Sequence, residues 1–211
     1  MKTDSFTLSP LSSVRGRIQW RHRVTGALLG LIVLAAGCLP VSVNPFYTER
    51  DRVTDDRLAG RWKESGGDVW TFAKAEAAYH LTVESGSEAP GEFTATLFQL
   101  RGQRYLDLCP DRSSLEQAKL NSLYATLNIP GHTILRLGTI GNELEMFTFK
   151  LQAVKAELTK HPKLCRHQDY EGEGVLLTGP TAELQKFLVR TAPMPGLWET
   201  NKLVREAASD K

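Results

Sequence analysis

The sequence has little that would mark an enzyme, a nucleic-acid binder or a disulfide scaffold. No Gly-x-Ser-x-Gly elbow, Ser-x-x-Lys, His-Glu-x-x-His or phosphate-cradling glycine-rich loop occurs in it, so no catalytic motif is found and a non-enzyme is expected. Twenty-six Lys+Arg against 24 Asp+Glu give a net charge of only +2, too small a basic surplus to argue for nucleic acid. Three cysteines in 211 residues are too few to staple a fold. There are no internal repeats or low-complexity segments. The most apolar stretch, residues 24–36, covers only 13 positions without a charge. As a helix it would rise roughly 20 Å, short of a bilayer core of about 30 Å, which disfavours a spanning anchor.

That stretch has another reading. Lys2, Arg15, Arg17, Arg21 and Arg23 precede it with Asp4 as the only acid, and small residues follow, the order of a signal peptide. Leu34-Ala35-Ala36-Gly37-Cys38 resembles the lipobox of bacterial lipoproteins, with Ala35 where leucine is more usual. The resemblance implies cleavage after residue 37 and lipid attachment to Cys38, with three acyl chains, palmitate among them. One acyl chain holds a membrane only marginally and several hold it stably. Leu39 follows where lipoproteins kept in the inner membrane carry aspartate, so the expected address is the outer membrane, facing the periplasm. The first 37 residues hold five basic residues and one acid, so the remaining 174 carry 21 Lys+Arg against 23 Asp+Glu. That is one domain's worth of core.

Residues 38–56, with Pro40, Asn44-Pro45 and a charge cluster, read as a lipid-anchored tether holding the domain clear of the head groups. Phe46 and Tyr47 are apolar enough to dock. From Leu58 the hydrophobic period becomes two. Leu58, Gly60 and Trp62 share a face; residues 69–73, 79–84, 92–100 and 104–109 continue the pattern across short turns, which makes an antiparallel meander. Ser113-x-x-Glu116 is a capping box opening a helix. Residues 132–140 and 143–150 form a hairpin across Gly141-Asn142. A second helix spans 151–160, residues 174–178 give an eighth strand, and a third helix follows Gly179-Pro180. The expected fold is mainly β (α+β): about eight antiparallel strands in a partly closed barrel, with three peripheral helices. The barrel domain covers 57–205. The charged segment after Gly196 is expected to fray, though Trp198 and Leu203 can pack, and 206–211 form a disordered tail.

Leu58-Ala-Gly-Arg-Trp62, at the start of the first of eight strands, resembles the glycine-x-tryptophan entry of lipocalins and related calycins. The string through Trp70-Thr-Phe72, Tyr79, Phe93, Leu97, Leu106-Asp-Leu108-Cys-Pro110 and His132-Thr133, with Leu176-Leu-Thr-Gly-Pro180, is similar to uncharacterised lipocalin-like bacterial lipoproteins. The resemblance implies a barrel closed at one end by the tryptophan and open to an apolar ligand at the other. It also implies a later arginine packed on that tryptophan, for which Arg136 and Arg205 are both candidates.

Trp62, Tyr79, Leu81, Val83, Phe93 and Leu97 are therefore the candidate ligand cavity; with no cavity, the same residues are simply core. Cys109 and Cys165 can form a disulfide in an oxidising compartment or stand as separate thiols. His161-x3-Cys165-x-His167 has metal-ligand chemistry but matches no familiar zinc spacing, and reads better as a polar loop, so no metal or cofactor is expected. Asp107 and His132 have the chemistry of an acid–base pair, with nothing in the sequence to bring them together. The functional expectation is a lipid-anchored envelope protein that binds a small apolar ligand or an envelope partner without catalysis; a structural or assembly role without a cavity is the alternative.

Overall fold

The computed structural model describes residues 39–111, 130–170 and 174–207. Eight strands form a closed barrel in which each pairs antiparallel with its neighbours: β2 (Gly60–Glu64), β3 (Val69–Lys74), β4 (Tyr79–Glu84), β5 (Gly91–Leu100), β6 (Gln103–Pro110), β7 (Thr133–Ile140), β8 (Glu143–Phe149) and β11 (Trp198–Arg205). A separate sheet joins β1 (Val41–Ser42), β10 (Gly174–Leu177) and β9 (His167–Tyr170). Two α-helices lie among the described residues, α1 (Leu151–Lys160) and α2 (Thr181–Thr191); the helix expected from Ser113 falls outside them.

The strands form because apolar side chains alternate. Leu58, Trp62, Phe72, Tyr79, Leu81, Leu97, Leu106, Leu144 and Leu203 pack together inside the barrel. The residues between them face outward. On the β5–β8 side that outward face is also apolar, and Phe98, Tyr105, Ile134 and Phe149 form a second core with α1, α2 and β10. These strands are thus buried on both faces, which explains their near-continuous hydrophobic runs.

The barrel is strongly staggered. Pairing runs level from Trp62 through Trp70 and Val83 to Gly91, and again from Leu97 through Leu106, Leu135 and Thr148 to Glu199. Gly91 to Leu97 is six residues along β5, and Glu199 to Arg205, which pairs back to Trp62, is six more along β11. A closed sheet with this shear has tilted strands and an interior wide enough for large side chains or one small ligand.

Three expectations need correction. The barrel is closed rather than partly closed. Its eighth strand is β11, in the segment expected to fray, while residues 174–177 belong to the small sheet. In β11 charged and polar residues dominate (Glu199, Thr200, Asn201, Lys202), because its outer face is solvated and only Leu203 reaches full burial. Glu206, placed in the tail, also extends the barrel edge: its N–H donates to Arg61 O at 2.9 Å and its carboxylate pairs with the Arg61 guanidinium.

The tether is the third correction, because residues 40–56 lie on the barrel wall. Ser42 and His132 exchange backbone hydrogen bonds of 2.8 Å. Phe46 is fully buried and its N–H donates to Asp107 Oδ2 at 2.9 Å. Val53 N–H donates to Leu97 O at 3.0 Å. Removing the Phe46 side chain should therefore act as a core deletion: Phe46→Ala is expected to lower unfolding free energy in urea by about 3–5 kcal/mol, whereas a solvated tether would give almost no change.

Candidate functional site

One end of the barrel is plugged. Gly60 has φ +129°, a conformation glycine adopts readily, and a Cβ there would lie 2.7 Å from Arg205 Nη1. The missing side chain lets Arg205 fold across the strand and stack its guanidinium on the Trp62 ring, 4.0 Å from the centroid. The same guanidinium donates to Ala59 O at 3.0 Å and to Arg57 O. Trp62 Nε1–H donates to Leu58 O at 2.9 Å. Of the two arginines weighed from sequence, Arg205 holds this position. Arg136 lies outside the barrel, 4.2 Å from the Phe147 ring centroid and 4.8 Å from that of Trp198, and donates to Ala192 O at the C-terminal end of α2.

Below the tryptophan the plug is completed by Tyr79 and Asp55. The Tyr79 hydroxyl accepts from Asp55 N–H at 2.9 Å and donates to Asp55 O at 3.0 Å. The Asp55 carboxylate takes hydrogen bonds from Arg57 and from Arg104, the latter at 2.7 Å. Chiefly through Arg57, these contacts hold the Asp55 carboxyl at about 2.

The candidate cavity residues divide by height. Trp62, Tyr79, Leu81 and Leu97 are at most 1% exposed, so almost none of their surface meets solvent or a water-sized void. They are packed core. Val83 and Phe93, nearer the opposite end, are half-buried. At that end, allowing for the stagger, Asn201, Glu64 and Trp70 stand side by side on three consecutive strands, each in the lumen-facing phase of its strand. Trp70 is 5% exposed, and its Nε1–H and the buried Asn201 Oδ1 have no hydrogen-bond partner. Burial and the nearby Asp68 raise the Glu64 carboxyl. β2 and β11 pair only over Leu203–Arg205. An open groove of about 730 Å³ runs along the outer side of this seam, lined by Lys63, Thr200, Lys202 and Val204, and also touches Glu64 and Asn201. A buried donor and acceptor without partners are costly unless something supplies them, so this level of the lumen is where a polar ligand gains most.

Other sequence candidates are dispersed. Cys38 lies outside the described residues. Cys109 and Cys165 are both free thiols, so the disulfide left open by the sequence is not formed. Cys165 is fully buried in the outer core, with its thiol pushed up to about 12 by burial, whereas Cys109 is half-buried on β6. His161 reaches toward Glu157, and His167 Nδ1 is 2.8 Å from Cys165 O, so the segment is a folded polar loop. No group of three or more metal-type side chains is gathered among the described residues.

Asp107 and His132 do meet. His132 Nδ1 lies 2.7 Å from Asp107 Oδ1, while Asp107 Oδ2 accepts from Phe46 N–H. Asp107 is 1% exposed on the outer wall of the barrel, so both carboxylate oxygens are occupied in joining β6, β7 and the N-terminal segment. Sequence reasoning missed Glu64, Trp70 and Asn201. A tryptophan in a strand and a lone asparagine in a charged segment carry no signal by themselves; only the stagger brings them together.

Comparison with protein-family models, curated proteins and solved structures gave no match. By its fold the chain is a mainly β protein built on a closed eight-stranded antiparallel barrel.

Two measurements test the plug. Arg205→Ala should destabilise by about 1–3 kcal/mol, from loss of the cation–π contact and of the donors to the Ala59 and Arg57 carbonyls, and should shift Trp62 emission; an unchanged spectrum and midpoint would contradict the stacking. Asp55 titrates below the free-aspartate value of about 3.9, so its pairing adds stability at neutral pH and loses it as pH falls through about 4 toward 2. Asp55→Asn is expected to flatten the urea midpoint over that acid range relative to the parent.

Proposed function

We propose that the chain is a lipid-anchored protein of the bacterial cell envelope, acylated at Cys38, whose barrel binds a small ligand without catalysis in the manner of lipocalin-like proteins. The observation that carries the barrel reading is the Arg205–Trp62 stack over Gly60 at one end of eight antiparallel strands, the arrangement that the glycine-x-tryptophan resemblance implies. The location rests on residues 24–38, an apolar stretch too short to span that runs into Leu34-Ala-Ala-Gly-Cys38. Leu39 favours the outer membrane, facing the periplasm.

The packing narrows the ligand. A long acyl chain entering the barrel would have to displace Trp62, Phe72 and Tyr79, all at most 2% exposed, so the ligand is compact and sits near Glu64, Trp70 and Asn201. It offers an acceptor to Trp70 Nε1–H and a donor to Asn201 Oδ1. This modifies the expectation of a purely apolar ligand. The solid lower lumen favours a second reading, an assembly role in which the barrel is only a scaffold.

Native mass spectrometry of the chain purified from host membranes distinguishes the two. The binding reading expects a co-purifying small molecule that is lost from Asn201→Leu and Trp70→Phe. Ligand-free protein throughout, with both variants as stable as the parent or more so, would favour the scaffold. Replacing Cys38 with serine should move the protein to the soluble fraction; retention in the membrane would remove the anchor from the proposal.

A further inference from the structure

The N-terminal segment fixes which end of the barrel meets the membrane. Pro40 is buried, and its carbonyl accepts from Thr133 Oγ1 at 3.3 Å. Thr133 shares the lumen-facing phase of β7 with Leu135 and Leu137. It therefore lies on the rim opposite the Trp62–Arg205 plug. Two residues on, Ser42 is held by backbone hydrogen bonds to His132. Gly131 leaves room for Val41, which a Cβ at 131 would strike. From there the chain descends the outer wall, past Asp107 to Leu97 and then to Asp55 and Arg104 at the plugged end. Position 38 is two residues before Pro40, and an extended chain spans about 3.3–3.6 Å per residue. Covalent reach alone keeps it within about 7 Å of the rim.

We propose, resting on the assignment of Cys38 as the lipid attachment site, that the barrel is held rim-down on the bilayer, with the end bearing Glu64, Trp70 and Asn201 turned toward the head groups and the Trp62–Arg205 plug turned away. A flexible tether would let the domain tumble; two residues do not. The rim sector from β2 to β6 carries Glu64, Asp68, Glu84, Glu88, Glu92 and Asp111; Glu84 is paired with Arg61, His80 faces Glu92 and Asp111, and Lys63 stands beside Glu64, which leaves a net acidic sector. Its charge suits a zwitterionic surface bearing amine head groups and is repelled by an anionic one.

The test uses the full acylated chain with Cys109→Ser, which leaves Cys165 fully buried, and one added cysteine at either end of β8. Lys150→Cys lies at the rim end and Asn142→Cys at the plugged end, and both positions are exposed. Each protein is placed in vesicles of ethanolamine-head-group phospholipid and in detergent, and labelled with a polymer-linked maleimide. A bulky polar reagent is excluded from a head-group layer about 5–7 Å deep, so labelling at 150 should slow about tenfold in vesicles while labelling at 142 does not change. Ten Gly/Ser residues inserted after Leu39 give a reach of about 17 Å and should restore labelling at 150. Vesicles rich in anionic lipid should protect 150 less. Equal labelling at both ends on vesicle-bound protein overturns the orientation and leaves the anchor standing. A chain that fails to float with vesicles, like its Cys38→Ser control, overturns the anchor and the orientation with it.

Discussion

Closure of the barrel depends on a short seam. Leu203, Val204 and Arg205 pair with Glu64, Lys63 and Trp62, and among the described residues only Glu206 N–H to Arg61 O continues this backbone pairing between the beginning of the barrel and its end. At the lower end of the seam Arg205 occupies the space left by Gly60 and stacks on Trp62, so the link that closes the sheet also plugs the lumen. At its upper end β11 runs on beyond β2, leaving Asn201 without the neighbour a longer β2 would provide. The solid half of the barrel and the half with unmet polar groups therefore follow from one constraint: β2 turns at Ser65 and β11 does not.

The outer wall follows a different logic. Asp107 sits in a Leu-Asp-Leu run where alternation requires an outward residue, and outward here means under the N-terminal segment. Burying that carboxylate is tolerable because both oxygens are engaged, one with His132 and one with Phe46 N–H. Desolvating a charge in this way is costly when a partner is removed and supportive when all are present. The aspartate thus couples the path of the N-terminal chain to the pairing of β6 and β7.

Much of this was legible in the sequence. Strands β2 to β6 announce themselves through period-two alternation and short turns, β7 and β8 through their hairpin across Gly141-Asn142, and α1 and α2 through their apolar stripes. The seam was not. In β11 only Leu203 and Trp198 are buried, and they face opposite sides, so the strand reads as a polar tail. Residues 174–177 are apolar enough for a barrel strand, yet their partners, His167 to Tyr170 and Val41 to Ser42, lie in segments that composition reads as loop and tether. Trp62 was identified through its glycine, but its arginine was one of two until geometry placed Arg136 on the outer wall. Tyr79, Leu81 and Leu97 face the lumen as expected; whether a lumen is filled depends on shear, which no local pattern encodes.

The seam also orders events in time. Arg61 and Glu206, whose contact finishes the barrel edge, are 145 positions apart. Because the chain is made from its N-terminus, β2 through β8 are present while β2 still lacks its closing partner, and the Trp62 ring still lacks its cover. Only when residues 203–206 have been made can the sheet become a cylinder. Losing Arg205 onward would strip the seam of its Trp62 pair and its Glu206 contact, leaving Leu203 and Val204 alone to hold it and the indole uncovered, a state more prone to open and pair with other chains.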